Sequence, residues 1–300
     1  MADLIQDIRY AARQMAKNPS FTAVAGLTLA LGIGATTTIF SVVDGILLSP
    51  LTFQEPQRLV RVWPDQAFSK SMLEEFRKEV PFLDGLSAYS HRSFTFSGEG
   101  EADPEELWGA SVSWDYFDIL GAAPALGRGF MPEDEEPGHG MVVILDDGLW
   151  SRRFGGDPDV LGKRVYVGDE DGALRTVVGV MPEGYRSLHD SWHLWVPFQI
   201  DPTNFPDYKG TASLRFLGRI GGSTTVETAD ARFHEVAQRL TGDLEFITDE
   251  ERAAAGVQPL REALLGDVSL RLLILLGSVG LVLLLACINV ANLLLARGQG

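Results

Sequence analysis

The sequence predicts an α+β protein held by two membrane-spanning helices. Three observations lead there. The apolar residues gather in two long runs, 21–48 and 271–297. The segment between them, 49–270, is rich in acids. That segment also alternates short β-patterned runs with short amphipathic ones, the texture of a mixed domain.

Averages over the chain hide this arrangement. Mean hydropathy is only +0.06 and the net charge of the 300 residues is −16. The ends carry net charges of zero (1–48) and +2 (271–300), so 49–270 carries −18. Such a segment is a poor partner for nucleic acid, whose phosphates need an excess of Lys and Arg. It is equally unsuited to lying flat on anionic lipid. The lone cysteine, Cys287, falls in the second apolar run, so the middle has neither a disulfide nor a thiolate metal site.

Residues 1–20 open the chain. Leu4, Ile8, Ala11 and Met15 share one helical stripe, and Arg9, Arg13 and Lys17 line another. Asn18-Pro19-Ser20 stops the helix, because proline disfavours helix in the residue before it. This predicts an amphipathic helix in the cytoplasmic interface. The first span follows over 21–48, with Asp44 as its one charge. At 1.5 Å per residue it reaches about 42 Å, more than the ~30 Å hydrocarbon core, so it tilts or projects. It is too long, and too late in the chain, for a cleaved signal core.

The second span covers 271–297, and Leu272 to Ala296 holds no charge. Residues 298–300 begin the segment on its far side. Both spans carry small or amide residues in register. Gly26, Ala30 and Gly34 recur every four residues, Gly277 and Gly280 share a face, and Asn289 and Asn292 stand three apart. Small residues let helices approach closely in lipid, and amides can hydrogen-bond across the contact. Gly26, Ala30, Gly34, Asn289 and Asn292 are therefore the expected helix-packing positions. The basic residues before the first span, and Arg297 after the second, put both ends in the cytoplasm and 49–270 outside.

Within the outer domain, 58–63 reads as a strand and 71–80 as a helix with Met72, Phe76 and Val80 on one face. Strands follow at 86–97 and 107–112, then a short helix at 114–120 stopped by Gly121. A second block brings a strand at 141–145 and a helix at 147–154. A hairpin follows, with strands 164–167 and 174–180 around Gly168 to Gly172, then a strand at 195–198. A strand at 214–220 and a helix at 228–240, with Ala229, Phe233, Val236 and Leu240 inward, repeat the opening unit. The expected division is one α+β subdomain from 50–125 and 205–266, with a β-rich subdomain inserted at about 126–204.

Catalytic signals are sparse. His189 and His193 stand four apart with no third ligand evident beside them, which reads as a surface loop rather than a metal site. The acidic runs 133–136 and 169–171 lack calcium-loop spacing. Gly32-x-Gly34 lies inside a span, with no strand before it, and is no nucleotide loop. No Walker, G-x-S-x-G or H-E-x-x-H motif occurs. No enzyme, cofactor or metal is expected of this chain. All six tryptophans lie in the outer domain, where most should be core.

Several stretches together resemble one family. Arg9-Tyr10-Ala11-Ala12-Arg13-Gln14, Phe21-Thr22-Ala23-Val24, Leu27 to Ala35 and Ile39-Phe40-Ser41-Val42-Val43 are similar to the start of MacB/FtsX-type ABC transporter permeases, the duplicated orphan group of Acidobacteria most of all. Gly148 to Pro158, Val177-Val178-Gly179-Val180-Met181-Pro182 and Leu194-Trp195-Val196-Pro197 resemble that family's periplasmic core domain. Ala286 to Arg297 is similar to its second span. The resemblance implies a bacterial inner-membrane, multi-pass permease with a periplasmic, porter-like domain. It implies a separate ABC ATPase subunit that binds the ATP, and two permease units or one duplicated chain. It further implies a cytoplasmic loop and more spans beyond Gly300, so the chain is expected to be an N-terminal part. The implied work is coupling of ATP hydrolysis to movement of the periplasmic domain, for export or envelope mechanotransmission. The alternative is a membrane-anchored periplasmic binding or scaffold protein with no ATPase.

Overall fold

A computed structural model describes residues 19–45, 53–64, 66–98, 103–136, 138–168, 173–198, 214–245 and 247–298. The expected helix over 1–20 falls almost wholly outside them. So do the end of the first apolar run, the link into the domain and the 169–172 turn. The chain divides into two compact units, residues 1–50 with 265–300, and 51–264.

The larger unit is built on one ten-stranded sheet, of order β10-β1-β9-β2-β3-β8-β5-β7-β4, with β6 pairing both β2 and β7. The strands are β1 (Leu59–Val62), β2 (Leu83–Gly98), β3 (Glu105–Val112), β4 (Leu126–Gly127), β5 (Val142–Leu145), β6 (Arg164–Gly168), β7 (Ala173–Val180), β8 (Leu194–Pro197), β9 (Arg215–Ile220) and β10 (Val257–Pro259). β2 is the spine. Its first half pairs β9, its last four residues pair β6, and β3 runs antiparallel along its other edge. Among the described residues only the β3–β8 and β5–β7 pairs are parallel.

Alternation along the strands sorts side chains onto two faces. Val60, Val62, Leu86, Ala88 and Phe216 meet helices α2 (Lys70–Glu79) and α5 (Val226–Thr241) in one core. Phe68 and Phe216 stack there at 4.4 Å, and Phe76 stacks on Phe233 at 5.3 Å. Both helices start where the sequence offers a cap. The Ser69 hydroxyl accepts the Met72 N–H, and the Thr225 hydroxyl accepts that of Thr228. The opposite face buries Leu59, Tyr89, Ala110, Val112 and Leu217 under α3 (Tyr116–Leu120) and the segment that follows β7. A third core, from β2, β3 and β5 to β8, lies under α4 (Asp147–Phe154). The single sheet continues from 51–125 into 126–198 through the β3–β8 and β2–β6 pairs.

Polar contacts fasten the elements. Arg77 reaches Asp115 at 2.8 Å and the Leu86 carbonyl at 2.8 Å, joining α2 to β2 and to the turn before α3. The 133–136 acids are engaged in the same way. Asp134 takes both guanidinium nitrogens of Arg128 (2.6 and 3.0 Å). Glu135 binds Lys70 at 2.8 Å and the Trp114 N–H at 2.7 Å. α6 (Asp249–Ala253), carrying a reciprocal Thr248–Glu251 cap, leads into β10.

The smaller unit holds two long helices, α1 (Pro19–Val43) and α7 (Leu260–Gly298). Each has a 22-residue stretch long and apolar enough to cross a membrane, Thr22–Val43 and Leu270–Ala291. α7 begins well before 271. Its first turn follows Pro259 and belongs to the larger unit.

Candidate functional site: the paired apolar helices and the root of the second

Chemistry is sparse among the described residues, so the candidate site is mechanical: the two apolar helices of the smaller unit, and, in the larger unit, the buried first turn of α7. α1 and α7 meet at Gly32. The glycine is buried, and a Cβ added there would stand 2.9 Å from Leu283 Cδ1 and 3.7 Å from Leu283 Cα. Leu29, Gly32, Thr36, Ile39 and Val43 repeat at helical spacing and form the less exposed face of α1, and Ala286 is buried on α7.

The remaining faces are open and greasy. Leu27 is 63% exposed, Leu31 72% and Leu281 63%. Five hydroxyls on these helices are satisfied from within. Thr28, Thr36, Thr38 and Ser41 each donate to the carbonyl four residues back at 2.7–2.9 Å, and Ser278 does so at 2.8 Å. Hydrocarbon demands such closure, because an unsatisfied polar group there costs several kcal/mol.

The expected packing positions sit elsewhere on this surface. Gly26, Ala30 and Gly34 are exposed, and a Cβ on either glycine would meet nothing within 4 Å. Ala30 and Gly34 lie about 160° round α1 from Gly32 at 100° per residue. The contact with α7 therefore uses a different face of α1. Asn289 is exposed on α7; Asn292 lies in the same helix, with its side chain outside the described residues. Sequence reasoning missed Gly32, although a signal was present: it stands in register with Leu29, Thr36 and Ile39.

The root of α7 is rooted in the domain core. Leu260 is fully buried in the second core and Leu264 packs against it. From there the helix runs unbroken to Gly298, about 58 Å at 1.5 Å per residue. The first core-facing turn was readable as Leu260 and Leu264, four apart behind a proline.

The histidines singled out by spacing go separate ways. His193 Nδ1 faces Asp146 Oδ2 at 3.0 Å, while His189 sits against Trp192 and His91. Burial, then the charges of His91, Arg61 and Arg215, hold His189 below the usual imidazole value against the pull of Asp190. Among the described residues no three His, Cys, Asp or Glu side chains converge on a metal position.

Comparison with known proteins adds to this geometry. The family model described as "MacB-like periplasmic core domain" matches residues 22–242. A domain of a putative permease protein from Porphyromonas gingivalis superposes with a TM-score of 0.50 at 18% identity, covering 69% of this chain and 92% of that one. That likeness shows the fold. The periplasmic region of MacB from Actinobacillus actinomycetemcomitans gives 0.48 at 18% identity, covering 68% and 90%. The extracellular domain of the noncanonic ABC-type transporter YknZ from Gram-positive bacteria gives 0.46 at 17%, covering 62% and 94%. No curated protein matches the chain.

Proposed function

The chain belongs to the MacB-like periplasmic core domain family of ABC-type transporter permeases, and from that membership we propose that it couples a separate cytoplasmic ATPase to movement of its periplasmic domain. The observation that carries this reading is the continuity of α7. One helix has its first turn in the domain core at Leu260 and its apolar stretch at Leu270–Ala291. In this reading the helix is the element through which movement of the apolar stretch would reach the domain. Residues 46–52, between the first apolar run and the domain, lie outside the described residues, so α7 is the connection this proposal uses.

The same reading places the chain in the bacterial inner membrane as a multi-pass subunit, with ATP bound by its ATPase partner. It keeps a porter-like subdomain with the β-rich part at 126–204 as an insert. The open Gly26, Ala30, Gly34 face, together with Asn289 and Asn292, receives helices of a second permease unit or of a duplicated half. Two exposed glycines on a lipid-facing helix support this, because small residues there gain close packing only from a partner. The work performed is export or transmission of force into the envelope.

The test reconstitutes the chain with its ATPase in nanodiscs and reads the distance between spin labels on Asp118 and Leu284. An ATP-dependent change that disappears when three glycines interrupt α7 after Gly266 supports coupling. An identical distance with and without ATP, while ATP is being hydrolysed, overturns it.

A further inference from the structure

One end of the second sheet face is only partly covered by the segment after β7, which lays Trp192 and His189 against it. Three adjacent strands place their side chains there. Arg215 on β9 stands directly opposite Tyr89 on β2, His91 is the next residue of β2 on that face, and Trp108 on β3 lies diagonally beyond. Arg61 on β1 shares the face through its pairing with Leu217. His91 and Trp108 stack as parallel rings, 4.4 Å apart and 8° from coplanar. Trp192, buried beside them, donates its indole N–H to His91 Nδ1, which fixes the His91 ring and leaves its Nε2 as the proton-bearing atom. His189 completes the group, 5.4 Å from the His91 ring.

Two features mark this as more than a solvated surface. Trp108 is 48% exposed although one ring face is taken by His91, so its other face is open. Positive charge also gathers at the His189 side, while Glu106, on the Trp108 side of the same face, accepts from the Ser93 hydroxyl. In a chain of net charge −16, Arg61 and Arg215 act together on His189. The neighbouring acid, Asp190, is held by Arg186 at 3.0 Å. The Arg61 Nε is shielded from solvent and has no hydrogen-bond partner.

We propose that this platform binds a ring-bearing anion, with a sugar or aromatic ring lying on the open face of Trp108 and its carboxylate or phosphate drawn to the His91, His189 and Arg215 side. Three strands at about 4.8 Å spacing make the platform roughly 10 Å wide, the length of one or two rings. The flat indole supplies contact area at little entropic cost, and the guanidinium and imidazole donors supply orientation. Arg61 and Arg215 on one side of the platform and Glu106 on the other orient the ligand's anionic end toward the arginines. The inference does not depend on ATP-driven movement.

Calorimetric titration of the full chain in detergent micelles tests it, with glucuronate and phenylacetate as probes and glucose and acetate as controls. Saturable binding of either ring-bearing anion, at least tenfold tighter than both controls, is expected. Trp108→Ala and Arg215→Gln should each weaken it at least tenfold with the far-ultraviolet circular dichroism unchanged. Should Trp108→Ala disturb the fold, Trp108→Phe keeps a smaller platform and should give an intermediate loss. Binding by glucuronate alone assigns a sugar acid, and by phenylacetate alone an aromatic acid. Absence of saturable binding, acetate binding as well as either probe, or full affinity in a folded variant overturns the proposal.

Discussion

Leu283 of α7 lies against Gly32 of α1 so closely that a methyl group on the glycine would stand 2.9 Å from the leucine Cδ1. The obstructing atom is the tip of a flexible side chain. Gly32→Ala should therefore be absorbed by a rotamer change, while Gly32→Leu has no room and must part the helices. Spin labels on the exposed Leu31 and Leu284 should report a lengthened, broadened distance in Gly32→Leu and the parent distance in Gly32→Ala.

Gly34 predicts the opposite pattern. A Cβ there meets nothing within 4 Å, so Gly34→Leu should leave the Leu31–Leu284 distance untouched. If the stripe receives a partner helix, Gly34→Leu and Ala30→Leu should each weaken assembly of permease units, read as a shift to smaller particles in size-exclusion chromatography. Unchanged assembly in both would remove the stripe from the interface.

Leu260 anchors α7 with no exposed surface. Leu260→Ala should cost about 2–5 kcal/mol, the range for a buried leucine that leaves a partly collapsed cavity. Leu260→Met, which conserves volume, should cost less than about 1.5 kcal/mol. Denaturant unfolding followed by tryptophan fluorescence separates the two, since every tryptophan lies in 49–270.

How far the fold could be read in advance depended on how local its signals are. α5 was legible because Ala229, Phe233 and Val236 mark one buried face. β7 was legible because its β-rich run ends in 177–180, where Val177 and Val180 supply the third core. α6 and β10 were missed: a five-residue helix and a three-residue strand carry too few residues to show a period. The start of β2 was placed late because Asp84 and Gly85 break the strand pattern, and a register shift falls between Leu83 and Gly85. The aromatic–basic platform was invisible in principle. Arg61, His91, Trp108, His189 and Arg215 are spread along the chain, and only strand pairing and the fold-back of the segment after β7 gather them.

Gly109 carries a prediction of that pairing. β3 and β8 run parallel so closely that a Cβ on Gly109 would lie 2.5 Å from the Leu194 carbonyl oxygen, a backbone atom with nowhere to move. Gly109→Ala should destabilise the domain by at least the ~1–3 kcal/mol typical of overpacking. Hydrogen exchange should locate the loss in β3 and β8, where the Gly109 and Leu194 strands are paired; protection unchanged in both would contradict the register.

The pH dependence follows from His189. Its folded-state value is held below the ordinary 6.5, by burial first and then by His91, Arg61 and Arg215, with Asp190 opposing. The unfolded chain thus binds a proton more readily than the folded one between the two values. Stability is complete above the unfolded value and is lost as pH falls through 6.5 toward the depressed folded value. His189→Gln removes the titrating group while keeping a polar side chain, so its melting temperature should fall less than the parent's between pH 7.5 and 5.5. A bound anion beside His189 raises the folded value, and a titration of the His189 ring by nuclear magnetic resonance should show that rise with glucuronate or phenylacetate present and not with glucose. Parallel pH profiles for parent and His189→Gln would show that the ring is more solvated than its neighbours imply, and that the acid sensitivity of this face arises from other groups.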